Sequence, residues 1–215
     1  MKTLADLTKP AASVAVVIAL SLSLTFSATA QADGNIAPFT ASKVVDLTHA
    51  MHDDMAFWPG GVPFKKDRLV DYHTGGYQLH KFSMGENTGT HVDAPSHFVQ
   101  GKRAIDQLAL HELILPLVVL DAQASSSADH DYELTPADIE RWEARHGTVP
   151  ANSLFVMNTG WHKRFATPKR YINMDGDKVM RFPGFSAAAA KLLVARGVAG
   201  IGIDTLSLDH GRSKT

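Results

Sequence analysis

The run Glu86-Asn87-Thr88-Gly89-Thr90-His91-Val92-Asp93-Ala94-Pro95-Ser96-His97-Phe98 packs an amide, two carboxylates and two imidazoles into one short stretch. Read as a strand, it alternates faces, so His91 and Asp93 point the same way with Cα atoms roughly 6.5–7 Å apart. An imidazole nitrogen and a carboxylate oxygen at that spacing can converge on one Zn²⁺, Mn²⁺ or Fe²⁺ ion and leave positions open for water or a reactant. Pro95 stops the strand, and His97 follows the break, where it can lean over the ion and move a proton without ligating it. Asn87 shares the parity of the pair, but a straight strand sets it about 13 Å from His91, too far to share an ion. Gly89 lies between them and tolerates backbone angles closed to other residues; a bend there would bring in the Asn87 amide oxygen as a weaker ligand.

An isolated His-x-Asp is more often a hydrogen-bonded structural pair than a metal site. What points to chemistry is the combination of a possible bend, two ligand types, a strand stop and a second histidine. The elements around it must hold it in place. Lys43–Thr48 is a β-branched run that reads as a first strand. His49–Pro63, with Trp58-Pro59-Gly60-Gly61 inside it, reads as a long loop of the kind that covers a site. Strands around Phe64–Tyr72 and Tyr77–Met84 lead into the run. Beyond it, Leu113–Leu120 suggests a buried central strand interrupted at Pro116, and Ala122–Asp131 reads as a Ser-rich surface loop.

Thr135, Pro136 and Asp138 open a helix that Gly147 closes. Leu154–Met157 is a second buried strand, delivering Asn158-Thr159-Gly160-Trp161-His162 at its end. Ser186 caps a helix over Ala187–Arg196, and Gly197 ends it and feeds the strand Val198–Ile203. The order predicts an α/β domain, with a mixed β-sheet or barrel-like core flanked by a few helices.

Composition narrows the partners. The 215 residues carry a formal charge of −1 with no basic patch or acidic tail, so neither nucleic acid nor an anionic membrane surface is implied. A small neutral or weakly charged ligand fits better. No cysteine is present, which excludes disulfides, thiolate metal sites and a cysteine nucleophile; eleven histidines remain as soft bases. At the N-terminus, Lys2 and Lys9 flank the apolar run Ala11–Phe26, followed by the small residues Ser27-Ala28-Thr29-Ala30. Residues 1–32 therefore read as a signal peptide and 33–215 as the domain, periplasmic or secreted, with no stable membrane association after cleavage. An uncleaved anchor is the alternative.

Gly89-Thr90-His91-Val92-Asp93-Ala94-Pro95-Ser96-His97 resembles the signature of the metal-dependent cyclase family, which includes bacterial kynurenine formamidases and isatin hydrolases. Val45-Asp46-Leu47-Thr48-His49, Asn158-Thr159-Gly160-Trp161 and the run Gly202 to Asp209 resemble further segments of that family. The resemblance implies a swivelling β/β/α-type fold, a divalent metal (Zn²⁺ or Mn²⁺), and hydrolysis of an aryl formamide or cyclic amide by metal-activated water. By motif position, His91 and Asp93 would be metal ligands and His97 the general acid/base. Asn87 stands where the formamidases place their first histidine ligand, so it is carried as a third, weaker ligand. Phe57, Trp58 and Trp161 are candidates for the walls of an aromatic pocket, or simply for core.

The resemblance also implies a further segment bearing a His and a Glu downstream of Gly202-Ile203-Asp204-Thr205, which this sequence lacks; the chain reads as truncated there. Three alternatives stay open: a metal-dependent amidohydrolase acting on a small amide and assembling as a homo-oligomer, a silent fragment or ligand-binding subunit, and metal-free acid/base chemistry through His97 and Asp93.

Overall fold

The computed structural model describes residues 43–214; the expected signal peptide at 1–32 lies outside the described residues. Strand β1 (Lys65–Val70) pairs antiparallel with β2 (Leu79–Ser83), Lys65 opposite Ser83. The one-turn helix α1 (Tyr72–Gly75) joins them, its first N–H groups capped by the Asp71 carboxylate and its end marked by Gly76 at φ 73°. Past a long irregular stretch the chain alternates strand and helix: β3 (Leu117–Asp121), α2 (Gln123–Ala128), β4 (Glu133–Leu134), α3 (Pro136–His146), β5 (Leu154–Asn158), α4 (Pro168–Ile172), β6 (Gly184–Phe185), α5 (Ala187–Ala195) and β7 (Gly200–Ile203).

β3, β5 and β7 form a parallel sheet in that order, and β4 and β6 form a small parallel pair. Parallel neighbours need long returns, which α3 and α5 supply. α3 starts where a cap allows it: Thr135 and Asp138 bond reciprocally, and Pro136 occupies the first turn. α5 starts at Ser186, whose hydroxyl accepts from the Ala189 N–H at 3.1 Å. Both helices bury Ile139, Ala189 and Leu193 against Val118, Leu120, Phe155 and Met157 of the sheet. A second cluster, containing Met55, Phe64, Trp161, Phe165, Tyr171 and Phe182, lies apart from this one.

Several expectations are corrected. Lys43–Thr48 forms no strand; Val44 is 86 % and Leu47 78 % exposed, since β-branched residues make a ladder only when a neighbouring strand offers one. β3 is an edge strand, not a central one: Val118 and Leu120 face the core while Leu117 and Val119 stay exposed. The central place belongs to β5, whose neighbours on both sides are strands. Gln123–Ala128, within the expected loop, is helical. The barrel-like option also fails, because among the described residues the sheets are three separate open units and do not close.

Two ties fix the last third of the chain. Arg196, at the end of α5, makes two 2.8 Å bonds to Glu143 on α3. The guanidinium outweighs the opposing effect of burial and, helped by the Val149 N–H, pulls the Glu143 carboxyl down to about 2. The second tie is steric. A Cβ at Gly184 would overlap the backbone of Asp209 and His210, which runs against β6 and is fastened there by the Phe185 N–H on the Leu208 carbonyl at 2.8 Å.

Each tie predicts a measurable loss. Gly184→Ala should lower stability by about 1–3 kcal/mol, because the obstructing atoms are backbone. Gly176→Ala, with open space around it, should stay within about 0.5 kcal/mol in urea titrations. The Glu143 contribution is complete above the unfolded carboxyl's value of 4.5 and fades as pH falls towards about 2. Urea midpoints of wild type and Glu143→Gln should therefore differ at pH 7 and converge as pH drops through that window; a constant gap would refute the assignment.

Candidate active site

The Glu86–Asp93 segment is a sequence of turns and irregular chain, not the expected strand, and a 3-10 turn over Pro95–His97 follows it. Among the described residues no partner strand lies along it, so its shape comes from internal bonds. The Thr88 N–H donates to the Gly85 carbonyl at 3.1 Å, and Gly89 turns the chain at φ 80°, a conformation that favours glycine. That turn aims the Gly89 carbonyl at the His91 ring, whose Nδ1 lies 2.8 Å away. Nδ1 must then carry the proton, which leaves the Nε2 lone pair facing outward.

Nε2 of His91 lies 3.2 Å from Oδ1 of Asp93, so the two side chains converge although the strand that was to align them is absent. Two electron-pair donors rest this close only with a positive charge or a proton between them. Ligand atoms about 2.0–2.2 Å from a common ion sit roughly 3.0–3.4 Å apart, so the spacing and the N/O chemistry both fit a divalent cation. Asn87 is brought to the same place by the Gly89 turn, but as a hydrogen-bond donor: its Nδ2 touches Oδ1 of Asp93. It thus orients the carboxylate, and would present its oxygen as a ligand only after the amide rotates. Among the described residues no group of three or more His, Asp or Glu gathers to hold an ion. His91 and Asp93 are therefore the strong donors.

A cavity of about 520 Å³ opens over this pair. Asn87, His91, Asp93 and His97 line it together with Phe57 and Trp58. His97 packs edge-on against Phe98 at 4.3 Å, with Nδ1 4.0 Å from a carboxylate oxygen of Glu86, too long for a hydrogen bond. Trp161 does not belong to the wall. It is 2 % exposed, donates its indole N–H to the Tyr171 carbonyl at 2.8 Å and carries the Arg164 guanidinium 3.8 Å from its ring centre, all signs of a core residue.

The opposite wall escaped sequence reasoning. It consists of Phe165, Tyr171, Met180, Phe182 and the segment Thr205–Asp209, except Leu208. Only Gly202–Asp209 carried a signal, as a run that resembles a segment of the cyclase family. What holds this wall is Asp204, directly beyond β7. Its carboxylate accepts from the Thr159 N–H at 2.9 Å and hydroxyl at 2.5 Å, and from the His162 N–H at 3.1 Å and Nδ1 at 2.8 Å. Burial alone would raise the Asp204 pKa, but these bonds from Thr159 and His162 outweigh it and the carboxyl lies below its ordinary value.

Tyr171 donates its hydroxyl to the Asp204 carbonyl at 3.1 Å; burial, and then the Asp204 charge, push its phenol well above the usual range, so it stays neutral. On the near side, the His49 ring stacks on Phe165 at 4.1 Å and its backbone N–H donates to the Thr90 hydroxyl at 3.3 Å, linking the loop to the far wall.

Comparison with known proteins agrees with this architecture. The family described as "Putative cyclase" matches residues 45–210. Isatin hydrolase of Roseibium aggregatum is 35% identical over 134 residues, 60% of this chain and 51% of that protein. Kynurenine formamidase of Geobacillus thermodenitrificans is 30% identical over 172 residues, 79% of this chain and 72% of that one. The solved structure of isatin hydrolase A from Ralstonia solanacearum superposes with a TM-score of 0.73 at 32% identity, covering 80% of this chain and 70% of the other. The chain spans about half the length of the isatin hydrolase it matches in sequence. With the family match running through both the loop and the far wall of the cavity, this chain belongs to the cyclase family and shares its mixed α/β fold.

Proposed function

We propose that this chain carries the catalytic site of a metal-dependent amidohydrolase acting on an aryl formamide or a cyclic aryl amide. The observation that carries the reading is the 3.2 Å pair of His91 Nε2 and Asp93 Oδ1 beneath an aromatic cavity. The names of the relatives, isatin hydrolase and kynurenine formamidase, support the same reaction class. His91 and Asp93 would hold the ion, Zn²⁺ or Mn²⁺. When bound, such an ion acidifies a water and polarises the amide carbonyl.

The protein's own groups do the remainder. The Gly89 carbonyl fixes the His91 tautomer, and Asn87 keeps the Asp93 carboxylate turned towards the ring. Phe57 and Trp58 on one side, and Phe165 and Phe182 on the other, would orient the aryl ring and exclude bulk water. His97, unpaired by any hydrogen bond to Glu86, is free to deliver a proton to the departing nitrogen. The apolar run Ala11–Phe26 and the small residues after it support export of this activity. A second reading, ligand binding without turnover, draws on the limited donor set, since only His91 and Asp93 supply strong ligands among the described residues.

Metal analysis and hydrolysis of isatin and N-formylkynurenine separate the two readings; activity indifferent to a chelator would remove the first. His91→Ala and Asp93→Asn should lose the metal and the activity together. His97→Ala should retain the metal while kcat falls by about 10²–10⁴-fold. Equal metal loss in all three variants would show that His97 has been given the wrong role.

A further inference from the structure

We propose that the cavity selects uncharged aryl amides over those whose ring bears a carboxylate, and that Asp209 sets this preference. The inference rests on the hydrolase reading for its choice of substrate. Its own basis is the charge of the walls. Phe57, Trp58, Phe98, Phe165 and Phe182 supply apolar ring faces, and the ionisable groups among them are His91, His97, His210, Asp93, Asp209 and the neutral phenol of Tyr171. Among the described residues lining the cavity there is neither lysine nor arginine.

The arginines of the flanking segments are engaged elsewhere. Arg181 bonds Asp131 and Asp175, Arg212 reaches Asp131 at 3.4 Å, and Arg164 lies on Trp161 and bonds His130 at 2.8 Å. A carboxylate carried into such a space gives up its hydration and meets no lysine or arginine among the described lining residues, whereas an uncharged ring gives up little.

Asp209 turns this lack of a partner into repulsion. It is exposed, lines the cavity and has no cationic partner among the described residues. Its backbone cannot retreat, because it is pressed against Gly184 and held by the bond between Phe185 and Leu208. With no ion bound the cavity holds two carboxylates, and Asp93 lies against His91 and Asn87 whereas Asp209 has no such side-chain partner among the described residues. The discrimination therefore belongs to the Asp209 side of the cavity, and added salt should weaken it.

The test is calorimetric binding of acetanilide and 3-acetamidobenzoate, a matched neutral and anionic pair, to the full chain in chelator, so that no metal contact contributes. Acetanilide should bind at least about tenfold more tightly, and Asp209→Asn or high salt should narrow that ratio to under about threefold. Equal affinities in wild type, or no detectable binding of either, would overturn the proposal. A ratio that survives both Asp209→Asn and salt would overturn the part given to Asp209.

Turnover of formanilide and 3-formamidobenzoate by metal-loaded protein keeps the two readings apart. A binding preference without hydrolysis of either compound sinks the hydrolase reading alone. Hydrolysis of both at equal kcat/KM sinks the charge selection alone.

Discussion

One half-buried carboxylate organises the C-terminal end of the parallel sheet. Asp204 accepts four hydrogen bonds from Thr159 and His162, so the chain leaving β5 and the chain leaving β7 end on the same two oxygens. A half-buried charge is stabilised here because its acceptor sites are filled; with fewer donors it would weaken the fold it now holds. From this clasp the far wall follows. Tyr171 is fastened to the Asp204 carbonyl, Trp161 to the Tyr171 carbonyl, and Thr205 bonds the Ser207 carbonyl at 2.8 Å, so the polypeptide beyond β7 enters the cavity on a fixed course.

The near wall is organised differently, by local bonds within a few residues. Gly89 supplies a left-handed turn, the turn supplies a carbonyl, and the carbonyl sets the protonation of His91. Asn87 reaches Asp93 across the same turn. Nothing in this loop needs a sheet, and the site tolerates the lack of one. The two walls meet where His49 stacks on Phe165.

This division explains what could be read from the sequence. His91, Asp93 and the freedom of Gly89 were legible because their relationship is local, and local geometry depends on a few backbone angles. The caps at Thr135 and Ser186 were legible for the same reason. Phe165, Tyr171 and Phe182 were not, because residues of their type fill cores everywhere and only the tertiary fold decides which of them face a cavity. Trp161, open to either reading from sequence, proves to be core. The apolar run ending at Leu120 looked central because strand periodicity does not distinguish an edge from a middle; position in the sheet depends on which other strands arrive. Val44 and Val45 show the same limit, having strand propensity without a neighbour to satisfy it.

The open face of β3 has a kinetic consequence. Leu117 pairs with Leu154, and Leu154 with Gly200, so the sheet cannot form until segments far apart along the chain have found one another. Such non-local pairing is slow, and a nascent chain meanwhile presents apolar edge and face to any other chain nearby. In this protein Leu117 and Val119 remain uncovered even after β3 has docked. Refolding thus becomes a race between intramolecular zippering and bimolecular adhesion, in which dilution favours the monomer and crowding favours the aggregate.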